Sequence, residues 1–181
     1  MIAFVSGGAR SGKSEVAEAL AGRCHDARGG ALVYLATATA SDDEMAARIA
    51  RHRNRRGAEW TTREAPLALG RALNGIEAGS VVLLDCLTIW TSRALYEARF
   101  DFASALAELQ TLIGTARERE VDIVVVSNDL NEDVPPAHAE TSRYVACLQL
   151  LHVELARAAD RVVEVVAGQA IEWKKGGEMR C

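Results

Sequence analysis

Apolar residues recur along the chain in short runs that are bounded by glycine or polar residues, the pattern of buried strands that lead into loops. The last two runs are separated by Gly168, which predicts a closing hairpin. The predicted strands are residues 2–6, 31–37, 80–85, 122–128, 161–167 and 169–174.

Between these runs, apolar residues follow helical spacing, as Val16, Ala17 and Leu20 do in a helix over 14–24. Because strands alternate with helices, the sequence predicts a single α/β domain over residues 1–181 with a mainly parallel, doubly wound sheet flanked by helices. The other predicted helices are residues 41–56, 67–76, 88–98, 102–120 and 140–159.

Composition narrows the class of protein. The formal net charge of −4 argues against a nucleic-acid partner. The four cysteines include no Cys-x-x-Cys pair, which favours a reducing compartment over a disulfide framework or a zinc site. The N-terminus lacks the features of a signal peptide, and no run of about eighteen apolar residues occurs. We therefore expect a cytoplasmic protein without a membrane span.

Residues 7–14 read Gly-Gly-Ala-Arg-Ser-Gly-Lys-Ser and match the phosphate-binding pattern G-x-x-x-x-G-K-[ST]. The pattern follows a predicted strand and opens a predicted helix, which is the context that this loop requires. Its glycines let backbone N–H groups approach phosphate oxygens, and the helix adds its positive dipole end. We expect this cradle to bind ATP or GTP through Gly7, Gly8, Ala9, Arg10, Ser11, Gly12, Lys13 and Ser14.

Two side chains of the cradle have chemical roles in this pattern: Lys13 reaches the β and γ phosphates, and the Ser14 hydroxyl binds Mg²⁺. Asp85 ends an apolar strand, as the carboxylate that holds Mg²⁺ in P-loop proteins does. An aspartate that only caps a turn is the alternative. Because ligands bind at the carboxyl ends of parallel strands, we expect a Mg²⁺ site that includes Ser14 and Asp85.

His52 lies among arginines at the end of the helix predicted over 41–56. Guanidinium groups pair with phosphates, and a neutral imidazole is a competent nucleophile toward an activated phosphorus. The alternative is a solvated helix face whose arginines pair with the acids at 42–44. Spacing alone leaves both interpretations open.

Several motifs together resemble one family, the bifunctional adenosylcobinamide kinase/adenosylcobinamide-phosphate guanylyltransferases of cobalamin biosynthesis. The resemblance continues to Lys174 and covers essentially the whole chain. Besides the cradle, the motifs are Tyr-Leu-Ala-Thr-Ala at 34–38, Asp-Glu-Met-Ala-Ala-Arg-Ile at 43–49 with His52-Arg53, Trp-Thr-Thr-Arg-Glu at 60–64, Leu-Leu-Asp-Cys-Leu-Thr at 83–88 and Val-Ser-Asn at 126–128.

This resemblance implies a RecA-like P-loop fold that assembles as a homotrimer and carries two activities. The kinase phosphorylates the aminopropanol hydroxyl of adenosylcobinamide with ATP or GTP. The guanylyltransferase moves GMP from GTP onto that phosphate through a guanylylated histidine, which by motif position is His52. The resemblance also implies that Lys13 is catalytic and that Arg53 and Glu64 bind the nucleotide.

The chain departs from the family pattern in its second half. The family's glycine-containing loop is replaced by Asp-Leu-Asn-Glu-Asp-Val-Pro at 129–135, and an acidic loop near phosphates is unfavourable unless a metal or arginine intervenes. Gln149, His152 and Val153 stand where Gly, Asn and Gln are usual, and Arg93 replaces an Asn. Three hypotheses follow: the bifunctional enzyme, a P-loop kinase of another small hydroxylated metabolite, and a nucleotide-binding regulatory protein that has lost one or both activities.

We interpret the remaining chemically capable side chains as structural. His25, His138 and His152 have no partners at metal-ligand spacing, and Cys86 has no adjacent base to activate it. Trp90 is expected in the core or at an interface.

Overall fold

The computed structural model describes residues 1–38, 57–65, 67–130 and 138–176. Six of its strands and all four of its helices overlap predicted ones. The strands are β1 Ile2–Gly7, β2 Leu32–Ala36, β3 Trp60–Glu64, β4 Val81–Asp85, β5 Asp122–Asn128, β6 Arg161–Val166 and β7 Gln169–Lys175. The helices of the described residues are α1 Lys13–Arg28, α2 Leu87–Tyr96, α3 Phe102–Glu118 and α4 Ala139–Ala158.

These strands form one sheet in the order β3-β2-β4-β5-β1-β6-β7. Neighbouring strands are parallel except β6 and β7, which form the predicted antiparallel hairpin. The predicted α/β fold with a mainly parallel sheet flanked by helices is therefore confirmed.

The register brings the ends of the central strands together at one edge of the sheet. Gly7, at the end of β1, lies opposite Asn128 at the end of β5. Asp85, at the end of β4, lies opposite Val126 of β5. The cradle that follows β1 and the Asp85 carboxylate therefore share the carboxyl edge, where ligands bind in sheets of this type.

Helices cover both faces of the sheet. On one face, α1 packs through Leu20 against strand residues such as Val124. On the other face, α2, α3 and α4 contribute Trp90, Leu109 and Leu151, all fully buried. The central strands are buried on both sides, which explains why they read as continuous apolar runs. None of the described helices has the length and apolar character needed to cross a membrane.

The helix predicted over 67–76 is wrong, since only the 3₁₀ turn Leu69–Arg71 forms there. The apolar side chains at helical spacing are buried as expected, but the backbone hydrogen bonds span three residues, as from the Ala72 N–H to the Leu69 carbonyl at 2.9 Å, and not the four residues of an α-helix. The Arg119 guanidinium donates to the carbonyl oxygens of Leu73 at 2.6 Å and Ile76 at 3.1 Å. The helical pattern thus identifies the buried side chains of this segment but not its backbone conformation.

β3 is a strand that the apolar pattern does not predict. Its side chains are mostly exposed, and backbone pairing with β2 holds it along its whole length. An edge strand with polar, exposed side chains lacks the alternation of apolar and polar residues from which strands are predicted.

Candidate active site

Residues 7–14 form the predicted turn between β1 and α1. Gly12 precedes α1 in a left-handed conformation (φ 91°), which a side chain would disfavour. Lys13 is buried, with 7% of its surface exposed, and its ammonium donates to the Gly8 carbonyl at 3.1 Å. The lysine is therefore held against the loop to which the sequence pattern assigns the β and γ phosphates.

The cradle is braced by the turn between β6 and β7, a contact that the loop motif does not predict. The Gly168 N–H donates to the Ser11 carbonyl at 2.8 Å. A Cβ atom at Gly7 would collide with the Val165 carbonyl oxygen and lie 2.7 Å from Ser11 Oγ. Close backbone packing therefore requires glycine at position 7, independently of any ligand.

Polar groups of the cradle are arranged to suit an anionic ligand. Ser11 Oγ is buried and has no hydrogen-bond partner among the described residues. A buried hydroxyl without a hydrogen-bond partner costs free energy, and a hydrogen bond from it to a phosphate oxygen would remove that cost. Ala9 and Arg10 are exposed, and Ser14 is half-buried in the first turn of α1.

Asp85 is half-buried, and a tyrosine fixes one of its oxygens. Tyr34 of β2 donates its hydroxyl to Asp85 Oδ2 at 3.0 Å, and its ring packs edge-on against Trp60. The motif around Tyr34 gave no indication of this contact. A carboxylate with a serine hydroxyl such as Ser14 is a donor set that suits Mg²⁺. Among the described residues, no three His, Cys, Asp or Glu side chains lie close enough together to hold a metal ion.

Thr37 joins the end of β2 to the residue that follows Asp85. Its Oγ1 accepts the Cys86 N–H at 2.7 Å and donates to the Cys86 carbonyl at 2.9 Å. Arg93, a departure from the family pattern, donates to the Thr37 carbonyl at 3.2 Å. Burial and the nearby Asp85 charge raise the pKa of the Cys86 thiol to about 11. The thiol is therefore protonated at neutral pH, in agreement with a structural role.

The end of β5 carries a group of polar side chains from three elements, and no motif predicts their contacts with one another. Ser127 Oγ lies 2.9 Å from Thr88 Oγ1 and 2.7 Å from His152 Nε2. Thr88 Oγ1 also accepts the Asn128 backbone N–H at 2.8 Å. Thr88 and Ser127 lie in the family motifs at 83–88 and 126–128, whereas His152 is a departure from the family pattern.

The structure brings only some of the predicted site residues together. The cradle and Asp85 lie at one edge of the sheet, whereas Glu64 is exposed at the end of β3, the outermost strand. Four strand positions separate β3 from β1, about 19 Å at the usual spacing. His52 and Arg53 lie outside the described residues. Nucleotide contacts of Glu64, His52 and Arg53 therefore stay predictions.

The chain is similar to known proteins over nearly its whole length, which includes this site. Residues 3–173 match the model of the family described as cobinamide kinase / cobinamide phosphate guanyltransferase. The chain is 42% identical over 175 residues to the bifunctional adenosylcobalamin biosynthesis protein CobP of Pseudomonas aeruginosa, covering 94% of this chain and 96% of the relative. It is 33% identical over 186 residues to the bifunctional adenosylcobalamin biosynthesis protein CobU of Escherichia coli K12, covering 96% of this chain and 100% of the relative.

A solved structure supports the fold alone. A KaiC-like protein from Pyrococcus horikoshii is similar with a TM-score of 0.54 and 12% identity, covering 96% of this chain and 78% of that chain. At this identity the likeness confirms the RecA-like P-loop architecture and carries no information on substrates.

Proposed function

This chain belongs to the cobinamide kinase / cobinamide phosphate guanyltransferase family, and we propose that it performs both reactions at the carboxyl edge of its sheet. It phosphorylates adenosylcobinamide with ATP or GTP, and it then transfers GMP from GTP to that phosphate to give adenosylcobinamide-GDP. The match of the family model to residues 3–173, with the cradle formed at 7–14, is the observation that carries this proposal.

In the kinase step, the aminopropanol hydroxyl of the corrinoid attacks the γ phosphorus, the nucleoside diphosphate leaves, and the hydroxyl proton passes to solvent. Lys13 offsets the charge of the phosphates, and the backbone N–H groups of the cradle orient them. Ser14 and Asp85 would hold Mg²⁺, which, when bound, neutralises phosphate charge. Two observations support these roles. The buried Ser11 hydroxyl has no hydrogen-bond partner among the described residues and can donate to a phosphate oxygen. The hydrogen bond from Tyr34 orients the Asp85 carboxylate for a cation.

In the guanylyl step, a His52 ring nitrogen attacks the α phosphorus of GTP and pyrophosphate leaves. A phosphate oxygen of adenosylcobinamide phosphate then attacks the same phosphorus and releases the histidine. Two in-line displacements replace one difficult transfer, and arginines such as Arg53 offset the charge on the moving group. The support for His52 is its place in the family's Arg-Ile-x-x-His-Arg motif.

We also propose that residues 1–181 form one domain, that the protein assembles as a homotrimer, and that it works in the cytoplasm. The interleaved sheet supports a single domain, because β1 lies between β5 and β6 from the other end of the chain. The buried cysteines Cys24, Cys86 and Cys147 form no disulfide among the described residues, which supports a reducing compartment. The trimer rests on the family resemblance.

The proposed function can be tested with ATP labelled at the γ phosphorus, adenosylcobinamide, Mg²⁺ and then unlabelled GTP. We expect labelled adenosylcobinamide phosphate that converts to adenosylcobinamide-GDP. Lys13→Ala should lower the kinase rate by about 100-fold or more, since a buried charge on the phosphates is lost. Lys175→Ala, which removes an exposed lysine of β7, is the matched control and should retain activity.

Other results would favour the remaining hypotheses. Phosphoryl transfer to a different hydroxylated metabolite, with none to adenosylcobinamide, would identify another small-molecule kinase. GTP binding without transfer or hydrolysis would identify a regulatory protein. Full activity of Lys13→Ala would contradict the role of the cradle.

A further inference from the structure

Three elements meet in a largely buried hydrogen-bonded chain beside the cradle. It runs from His152 of α4 to Ser127 of β5 and on to Thr88 of α2, with donor–acceptor distances of 2.7 and 2.9 Å. Ser127 is fully buried, and the ring of Phe4 packs at 5.1 Å from the His152 ring. Removing polar side chains from water costs free energy, which apolar side chains at the same positions would not cost. We therefore expect the hydrogen bonds of this chain to hold the three elements in a specific geometry.

His152 is neutral in this chain at physiological pH. Burial lowers the pKa of its imidazole from 6.5 to about 4, although the nearby Asp129 charge acts in the opposite direction. A neutral imidazole can accept at Nε2 from the Ser127 hydroxyl or donate to it. In both tautomers the chain is hydrogen-bonded throughout, which makes it a stable support.

The chain ends at Asn128. Thr88 Oγ1 accepts the Asn128 backbone N–H, and the next residue, Asp129, donates its N–H to the Gly7 carbonyl at 3.0 Å. Asn128 therefore sits between the first glycine of the cradle and the start of α2. Its side-chain Oδ1 is buried and has no hydrogen-bond partner among the described residues. A buried amide oxygen in this state costs free energy, and a hydrogen bond from a ligand would remove that cost.

We propose that the Asn128 carboxamide contacts the transferring phosphoryl group and the attacking hydroxyl, and that His152 is a positioning residue that acts through Ser127 and Thr88. The amide N–H₂ donates to phosphate oxygens, whose charge is redistributed in the transition state. Oδ1 accepts a hydrogen bond from the attacking hydroxyl and orients it, and the hydroxyl proton passes to solvent as the new phosphorus–oxygen bond forms. This inference rests on the proposed function, because it concerns the same phosphoryl transfer.

The test compares kcat and KM for ATP in the adenosylcobinamide kinase reaction. Asn128→Ala should lower kcat by about 100-fold and change KM by no more than about threefold, since the contact is made in the transition state. His152→Leu removes the ring nitrogens and should lower kcat by about tenfold. His152→Gln places an amide near the position of Nε2 and should restore kcat to within about threefold of the wild-type value.

A double-mutant cycle separates positioning from core stability. If His152 acts through Asn128, the variant with both Asn128→Ala and His152→Leu should have the kcat of Asn128→Ala alone. Leu151→Ala is the matched control, because Leu151 is buried on the same helix but outside the chain. It should lower the free energy of unfolding and leave kcat of the folded protein unchanged.

The results distinguish this inference from the proposed function. A wild-type protein that does not phosphorylate adenosylcobinamide contradicts the proposed function. An active wild-type protein whose Asn128→Ala variant keeps full kcat overturns the inference alone. Multiplied losses in the double variant, or equal losses in His152→Gln and His152→Leu, would overturn the positioning role of His152.

Discussion

The ends of β1 and β5 lie side by side at the same edge of the sheet but are built in different ways. At the end of β1, consecutive residues 7–14 form the cradle mainly from backbone groups. At the end of β5, the polar group is assembled from Thr88, Ser127 and His152, which lie far apart in the chain. Backbone geometry leaves a contiguous glycine pattern in the sequence, whereas side chains gathered from three elements leave none.

The two ends also differ in what they tolerate. The cradle depends on the absence of a side chain at Gly7, where a Cβ atom has no room. The β5 end depends on the presence of particular side chains that complete one another's hydrogen bonds. Substitutions should therefore act on stability through steric overlap at the first end and through lost polar partners at the second.

The largest effect on folding is expected from Gly7→Ala. The new methyl group meets the Val165 carbonyl in β6, and the glycine has a φ of 156°. Overlap and backbone strain together should lower the free energy of unfolding by about 2–4 kcal/mol. Urea unfolding of the ligand-free protein measures this change.

Gly8→Ala provides the matched control for that measurement. No heavy atom of the described residues lies within 4 Å of a Cβ at Gly8, so its unfolding free energy should change by no more than about 0.5 kcal/mol. Equal destabilisation of both variants would show that backbone packing with β6 does not distinguish the two glycines.

A smaller effect is expected at the β5 end when the pH falls. The pKa of His152 is lowered from 6.5 to about 4 in the folded protein, so the unfolded chain binds the proton first as pH decreases. The stability associated with the neutral ring is complete above pH 6.5 and is lost as pH falls toward 4. Between pH 7.5 and 4.5, this loss should be on the order of 2 kcal/mol.

His152→Gln isolates that contribution, because glutamine does not titrate while all other groups do. Unfolding free energies of the wild type and the variant should converge or cross as pH decreases from 7.5 to 4.5. Parallel pH profiles of the two proteins would mean that His152 is not buried in its neutral form.

The central strands and the cradle could be predicted from the sequence, since each leaves a local pattern. β4 and β5 are apolar because both faces are covered, and the cradle follows from eight consecutive residues. The Asp85 position also followed from its place at the end of an apolar run. Each of these features is determined by residues that are close together in the sequence.

The remaining features depend on contacts between distant elements. Residues 67–76 carry helical spacing, yet they form tight turns whose last carbonyls accept from Arg119 of a neighbouring element. β3 has mostly exposed side chains and pairs along its whole length with β2. The hydrogen bond from the Tyr34 hydroxyl to Asp85 joins two neighbouring strands, so it can be recognised only once the strands are aligned. The same holds for the hydrogen-bonded chain through Ser127.

The proposed function depends above all on a guanylylated histidine, and GTP labelled at the α phosphorus tests for it. The wild-type protein should acquire a label that is labile in acid and stable in alkali, as a phosphorus–nitrogen bond is, and His52→Ala should acquire none. His138→Ala, which removes an exposed histidine at the start of α4, should still be labelled. A label that persists in His52→Ala, or its absence from the wild type, would contradict the proposed guanylyl transfer.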